Sequence, residues 1–178
     1  MSLIKSFRML ARYNLRVNSQ LMQVSIALPQ AQLTTDTRSF FSNIVDYWNH
    51  LLFGDLILLR RLAANNLGML SQQSFVGLPL AKSPADVYAT DIHELKELRR
   101  KVDLLLLQFC DNLNDDEVEN MITYTTTEGE IISKLAADII QHLFNHQTHH
   151  RGQVHCLLSQ TDVPPPSLDI MYYLRAQD

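Results

Sequence analysis

Five of the seven histidines lie within fourteen positions, in the segment HLFNHQTHHRGQVH at residues 142–155. Imidazole nitrogens bind Zn and several other transition metals, so the arrangement of these side chains decides what chemistry they can do. An α-helix has 3.6 residues per turn, and residues three and four apart therefore share a face. The apolar stripe on either side of the cluster consists of Ile132, Ala136, Ile139, Leu143, Val154 and Leu157. His146 and His150 continue this stripe and are predicted to face the core.

A histidine pair at positions i and i+4 on an inward helix face predicts a shared metal ion. Side chains four residues apart are offset by about 40° and rise about 6 Å along the axis. His146 and His150 can therefore converge on one ion, whereas two buried imidazoles without partners would be costly. The other histidines of the segment, His142, His149 and His155, fall to the sides of the stripe. We expect them to surround the site without binding the metal.

A chelate of two histidines needs a third protein ligand from another helix. His93 lies near the start of a predicted helix among acidic residues, and we expect it to be solvated. His50 lies in the middle of a helix, in the segment DYWNHLLFGD, and can face the middle of the histidine-rich helix. The spacing therefore favours His50 over His93 as the third ligand, beside His146 and His150.

Four amphipathic segments are long enough to form the helices that would hold such a site. Apolar residues recur every three or four positions in residues 3–28, 38–64, 84–113 and 133–160. Phe40 is part of the stripe of the second segment, and Ser83 and Pro84 are predicted to begin the third. Residues 65–84 lose the periodicity and predict a long crossover connection. This pattern predicts an all-α protein, a four-helix bundle with metal ligands on facing helices.

Smaller elements are predicted around the last helix. Strand-favouring residues at 122–127 and 131–132 flank Glu128-Gly129 and predict a β-hairpin or extended arm. Three prolines at 164–166 end the last helix. The tail at 168–174 is expected to dock through Ile170, Met171 and Tyr173.

One glycine, Gly152, lies inside the histidine-rich helix, where glycine is unfavourable. Gly152 costs about 1 kcal/mol relative to alanine in a helix. It therefore indicates a close approach of another helix, or a kink.

Composition narrows the class of protein. A length of 178 residues suits one domain, residues 1–178. A net charge of −4 gives no electrostatic argument for nucleic acid, and no stretch approaches the apolar length of a membrane span. Cys110 and Cys156 predict free thiols in a reducing cytoplasm. We interpret the basic residues before Asp36 as the outer face of the first helix rather than as an organellar presequence.

The segments HLFNHQTHHRGQVHCLLSQ and VPPPSLDIMYYLR closely resemble the fourth-helix signature and C-terminal tail of the DinB family, part of the DinB/YfiT-like superfamily of metalloenzymes. The resemblance extends to ARYN, SFFSNIVDYWNHLLFGDLILLRRL and YTTTEGE, and so covers nearly the whole chain. It implies an up-down-down-up four-helix bundle, often dimeric, with a divalent metal held by three histidines. The family's ligands fall on His50, His146 and His150. Relatives resemble enzymes that use small thiols in transfer or isomerisation reactions.

Three hypotheses follow for the function. The first is a metal-dependent enzyme, a thiol transferase or hydrolase, because three histidines leave a coordination position for water or a thiol. The expected ion is Zn or Ni, with Fe or Mn as alternatives. The second is a non-catalytic, metal-stabilised bundle with a stress-response or interaction role. The third is a bundle without metal. A small thiol or other small molecule and a second copy of the chain are the expected partners.

The residues around the predicted histidine triad do not decide among these three hypotheses. Position 147 is Gln, so the HExxH pattern of zinc proteases is absent and no general base stands out. Asp46 and Asp55 either orient ligands or face solvent. A site sealed by Trp48, by Phe144 or by the tail would argue against catalysis.

Overall fold

The structure is a computed structural model that describes residues 2–176 and is mostly helical, with one two-stranded antiparallel sheet. Its α-helices and β-strands in chain order are α1 (Leu3–Ile26), α2 (Gln30–Leu33), α3 (Ile44–Ala64), α4 (Ile92–Asn112), α5 (Asp115–Glu119), β1 (Met121–Thr125), β2 (Ile131–Leu135), α6 (Ala136–Leu158) and α7 (Ile170–Arg175), with one short 3-10 helix at Gln72–Phe75. Within residues 2–176, no helix is both long and apolar enough to cross a membrane.

The four long helices enclose one apolar core. α1 packs against α4 and α6, and α3 packs against the same two helices. Trp48 of α3 is fully buried, and its indole N–H donates to Ser25 Oγ at 3.1 Å. The buried tryptophan thus has a partner for its polar atom, as a core position requires. The short helices α2 and α5 are additions that the hydrophobic period does not predict.

The second long helix begins at Ile44, so the predicted start at residue 38 was wrong. Asn43 caps the helix, because its side chain accepts the N–H of Asp46 at 3.0 Å and donates to the Asp46 carboxylate at 2.9 Å. Residues 38–43 are non-helical and form a bend instead. Phe40, which was predicted to be part of the buried stripe, is 83% exposed.

The third long helix begins at Ile92, so the prediction that Ser83 and Pro84 begin it was also wrong. Asp91 is the N-cap, and its carboxylate accepts the N–H groups of His93 at 2.7 Å and Glu94 at 3.1 Å. Residues 84–90 are non-helical, and residues 84–87 form one wall of the cleft described below.

The predicted β-hairpin is confirmed. β1 and β2 are antiparallel, from the pair Met121–Leu135 to the pair Thr125–Ile131. Gly129 in the turn has φ +88°, a conformation that other residues rarely adopt. Because β2 extends to Leu135, α6 begins three residues later than predicted.

The tail docks as predicted, although by fewer residues. Tyr173 is buried, and Tyr13 of α1 donates its hydroxyl hydrogen to the carbonyl of Leu168. Met171 is 50% exposed, so its predicted docking contact was wrong. Both cysteines are free, with Cys110 buried and Cys156 exposed.

Candidate metal centre

His50 of α3 meets His146 and His150 of α6 where these two helices pack together. Each residue offers one ring nitrogen, and the three nitrogens lie within 4.8 Å of one another. The Nε2 atoms of His50 and His146 are 3.0 Å apart. The ring of His150 lies 4.4 Å from that of His146 and 4.5 Å from that of His50, measured between centroids. The structure therefore brings together the three residues that the sequence indicated as ligands.

The donor set fits a divalent transition metal. With Zn–N distances of about 2.0–2.1 Å, two ligand nitrogens of one ion lie roughly 3 Å apart. His150 Nδ1 contacts Gln153 Oε1 at 2.6 Å, which orients the ring and leaves its Nε2 for a ligand. His146 Nδ1 is buried and has no hydrogen-bond partner among the described residues. The geometry is thus compatible with metal binding.

Burial keeps these imidazoles neutral, as metal ligands must be. Desolvation, together with the neighbouring His150 and His50, lowers the pKa of His146 to about 3. Desolvation also lowers the pKa of His150 to about 4, against the opposing effect of the hydrogen bond that its ring donates to Gln153 Oε1. The pKa of His50 is lowered by burial, an effect partly offset by the backbone of Pro84. At neutral pH all three side chains can therefore offer a lone pair.

A glycine on α3 makes room for the site. Gly54 lies one turn after His50, and a Cβ at this position would lie 2.7 Å from Nδ1 of His146. The ring of His146 thus packs directly on the backbone of α3. The close approach expected at Gly152 was wrong, because that residue is exposed and has open space around it.

An open cleft of about 560 Å³ lies beside His50. Residues 40–42 form one wall and residues 84–87 the other, with Asp46, Asn49 and His50 between them. The ring of Phe41 lies 4.2 Å from that of His50 and 5.8 Å from that of His150. A small molecule in the cleft would therefore lie beside His50, the one triad residue that lines it among the described residues.

Trp48, Phe144 and the tail, which could have sealed the metal site from solvent, pack elsewhere in the structure. Trp48 is directed at Ser25 in the core, and Phe144 stacks on Phe7 at 6.1 Å. The tail packs through Tyr173 near Tyr13 of α1. None of them lines the cleft beside His50.

Asn49 fixes one wall of this cleft. It is buried, and its Oδ1 accepts the N–H groups of Tyr88 at 2.7 Å and Ala89 at 3.2 Å. Its Nδ2 donates to the carbonyl of Ala89 at 2.9 Å. Sequence reasoning missed both Asn49 and Phe41: Asn49 has no spacing signal, and Phe41 lay inside a segment predicted to be helical.

Asp46 and Asp55, whose roles the sequence did not decide, lie in different surroundings. Asp46 lies in the cleft one turn before His50 and is hydrogen-bonded to Asn43. Asp55 is fully buried and accepts hydrogen bonds from Gln147 and Arg99. Gln147 directly follows His146 in the sequence. The hydrogen bond from Gln147 to Asp55 therefore holds the residue next to this candidate ligand in place.

Asp55 belongs to a buried polar network that links all four long helices. Its members are Asn14 and Asn18 on α1, Asp55 on α3, Arg99 and Asp103 on α4, and Gln147 and Arg151 on α6. Arg99 lies 2.5 Å from Asp55 and 3.0 Å from Asp103, which also accepts from Asn18 at 2.9 Å. Arg151 donates to Asn14, and burial lowers its pKa to about 10, so it stays charged at neutral pH. The network fixes α6 next to the histidines, and no spacing pattern predicted it.

The remaining histidines lie outside the triad, as expected. His93, His142 and His149 are exposed. His155 Nε2 lies 3.1 Å from the carbonyl oxygen of Pro166 in the tail segment.

Long packed helices, a hairpin and three converging histidines describe a mostly helical protein with a cluster suited to a metal ion. The chain belongs to the DinB family, whose model matches residues 2–178. A search of curated proteins found no match.

Proposed function

We propose that this protein is a divalent-metal-dependent enzyme with His50, His146 and His150 as ligands. In this proposal α1, α3, α4 and α6 form the up-down-down-up bundle that the family resemblance implies. The observation that supports it is the convergence of three neutral imidazoles, one of which, His50, lines an open cleft. The ion is Zn or Ni, with Fe or Mn as alternatives that imidazole also suits.

The chain's own residues would divide the work of the site. The three histidines hold the ion, and the rings of Phe40 and Phe41 contact the apolar part of a substrate. Asp46, on the same helix face as His50, receives a hydrogen bond or a proton from the substrate. A bound divalent ion would lower the pKa of a coordinated water or thiol.

The proposed reaction is a thiol-dependent transfer or a hydrolysis. Three protein ligands leave a position for a substrate atom, the arrangement of catalytic rather than structural zinc sites. The thiol preference rests on the family resemblance. We further propose that the protein acts in the cytoplasm and as a homodimer.

The test is a transfer screen with protein purified without a histidine tag and loaded with Zn or Ni. Cysteine, glutathione and other small thiols are each paired with several electrophilic acceptors, and adducts are measured by mass spectrometry. Turnover should require metal, be lost in His146→Ala and fall in Asp46→Asn. His142→Ala, a change at an exposed neighbouring histidine, should keep the activity. The enzymatic proposal would be contradicted if no thiol and no hydrolysis assay gave turnover, or if the rates were equal with and without metal.

A non-catalytic role is the second candidate, because the ligands come from two helices. An ion between His50 on α3 and the pair on α6 would cross-link them and stabilise the fold. A large rise in Tm on metal loading, with no turnover in the screen, would favour this role.

A further inference from the structure

A second cleft, of about 490 Å³, lies where the hairpin packs beside the C-terminal half of α3. Arg60 and Arg61 of α3 line it, together with Lys82 of the long connection. Residues 123–127 of the hairpin form the opposite side and include four threonines. At 1.5 Å per residue, Arg61 is about 16 Å along the helix from His50. The metal centre does not use this cleft.

Both guanidinium groups are fixed by aromatic rings and keep free donors. The guanidinium carbon of Arg61 lies 4.3 Å from the ring centroid of Tyr124, and its Nη2 donates to the carbonyl of Thr125 at 3.3 Å. Arg60 lies 4.3 Å from the ring centroid of Phe75 and donates to the carbonyl of Pro79 at 3.0 Å. A guanidinium has five N–H donors, so these contacts leave most of them available. Arg60 Nε is buried and has no partner within residues 2–176.

The edge of β1 adds a backbone donor. The N–H of Thr126 donates to the carbonyl of Glu130 across the hairpin at 2.8 Å. Because N–H directions alternate along an antiparallel strand, those of Thr123 and Thr125 point away from β2. The N–H of Thr123 donates a hydrogen bond to Asn65 Oδ1 at 3.2 Å. The N–H of Thr125 points to the same side, next to the guanidinium of Arg61.

The charges around the cleft favour an anion. Among the described residues, the acids that interact with its cations are Glu128 beside Arg61 and Asp86 beside Lys82. The Asp86 carboxylate already accepts the N–H groups of Lys82 and Ser83. Three cations thus face two carboxylates, in a chain whose net charge is −4.

We propose that this cleft binds the anionic group of a small molecule, a phosphate or a carboxylate. Arginine presents parallel N–H groups that match the oxygens of both anions, and the threonine hydroxyls and the Thr125 N–H add donors. The site is separate from the metal centre and does not depend on the function proposed for it.

The test is a titration of the ¹⁵N-labelled full chain, followed by amide chemical shifts. Inorganic phosphate and succinate are added separately, and they distinguish a phosphate ligand from a carboxylate ligand. With at least one of them, the amide signals of Thr125 and Arg61 should shift and saturate. Arg61→Gln should weaken binding at least about ten-fold. Arg100→Gln removes an exposed cation from α4 and should change the affinity less than about two-fold.

Two further variants make the outcome decisive. His146→Ala should leave anion binding unchanged, because the clefts are separate. Lys82→Gln alters an exposed side chain and serves as the deciding variant if circular dichroism shows that Arg61→Gln is unfolded. The proposal is wrong if neither anion gives a saturable shift, or if Arg100→Gln weakens binding as much as the cleft variants do.

Discussion

The ring of His146 occupies the space above Gly54 that a side chain at position 54 would need. A glycine on α3 therefore lets a histidine of α6 reach the position where its ring nitrogen meets that of His50. The nearest atoms belong to the end of the His146 side chain, so a larger residue would displace the ring rather than the helix.

Gly54→Ala should therefore lower metal affinity at least about ten-fold while the protein stays folded, a loss of about 1.4 kcal/mol. Affinity is measured by competition with a chelating dye. Gly152→Ala is the matched control on α6, where a methyl group meets open space. It should leave metal affinity unchanged and raise the free energy of unfolding by about 0.5–1 kcal/mol. Equal metal affinities for the two variants would refute this role of Gly54.

The stability of the metal-free protein should fall as the pH drops below 6.5. A histidine titrates near 6.5 in the unfolded chain, whereas burial lowers the pKa of His146 to about 3 and that of His150 to about 4. The unfolded chain binds more protons between these values, so acid favours unfolding. The contribution of the two neutral imidazoles is complete above pH 6.5 and is lost progressively below it.

The measurement is urea unfolding in the presence of a chelator, at about pH 7 and about pH 5. Burial raises the pKa of Asp103 to about 6, so this residue changes the stability with pH in the opposite direction. The wild type is therefore compared with His146→Gln, which isolates the histidine contribution. The variant should lose less stability than the wild type between the two pH values. The exposed His93 on α4, changed to Gln, should leave the wild-type dependence unaltered. An identical pH dependence for wild type and His146→Gln would contradict the account.

The buried ion pairs of Arg99 should be essential to the fold. Arg99→Met leaves Asp55 and Asp103 buried without their cation, and should lower the free energy of unfolding by about 3–5 kcal/mol. Arg12→Met breaks an exposed pair with Asp111 and should cost no more than about 1 kcal/mol. Urea unfolding measures both, and similar losses would show that the buried network is not a special determinant of stability.

Asn49 should hold the cleft wall in place. Asn49→Ala removes the acceptor of the Tyr88 and Ala89 amides and should accelerate their hydrogen exchange at least about ten-fold. Asn145→Ala, at an exposed position of α6, should not affect these amides. Unchanged exchange in Asn49→Ala would mean that other contacts hold the wall.

The sequence predicted the inward face of α6 because its apolar period runs unbroken through His146 and His150. It failed at the starts of α3 and α4, where local caps by Asn43 and Asp91 decide which residue begins the helix. The long connection therefore ends later than predicted, and its last residues become a wall of the cleft.

The buried network was beyond prediction for a different reason. Asp55 and Arg99 belong to residue types that are exposed in most positions, and each is buried only because the other faces it across a helix interface. Such pairing depends on the rotation and register of two helices, which no local pattern specifies. Gly54 was missed likewise, because its role depends on a ring from α6.

The most direct test of the central claim is the amount of metal bound by protein purified without a histidine tag. After loading with Zn and dialysis, elemental analysis should give about one equivalent per chain for the wild type and for His142→Ala. His50→Ala and His146→Ala should bind less than about a tenth of an equivalent and keep their helical circular dichroism. Less than about a tenth of an equivalent in the wild type, or a full equivalent in the triad variants, would contradict the account.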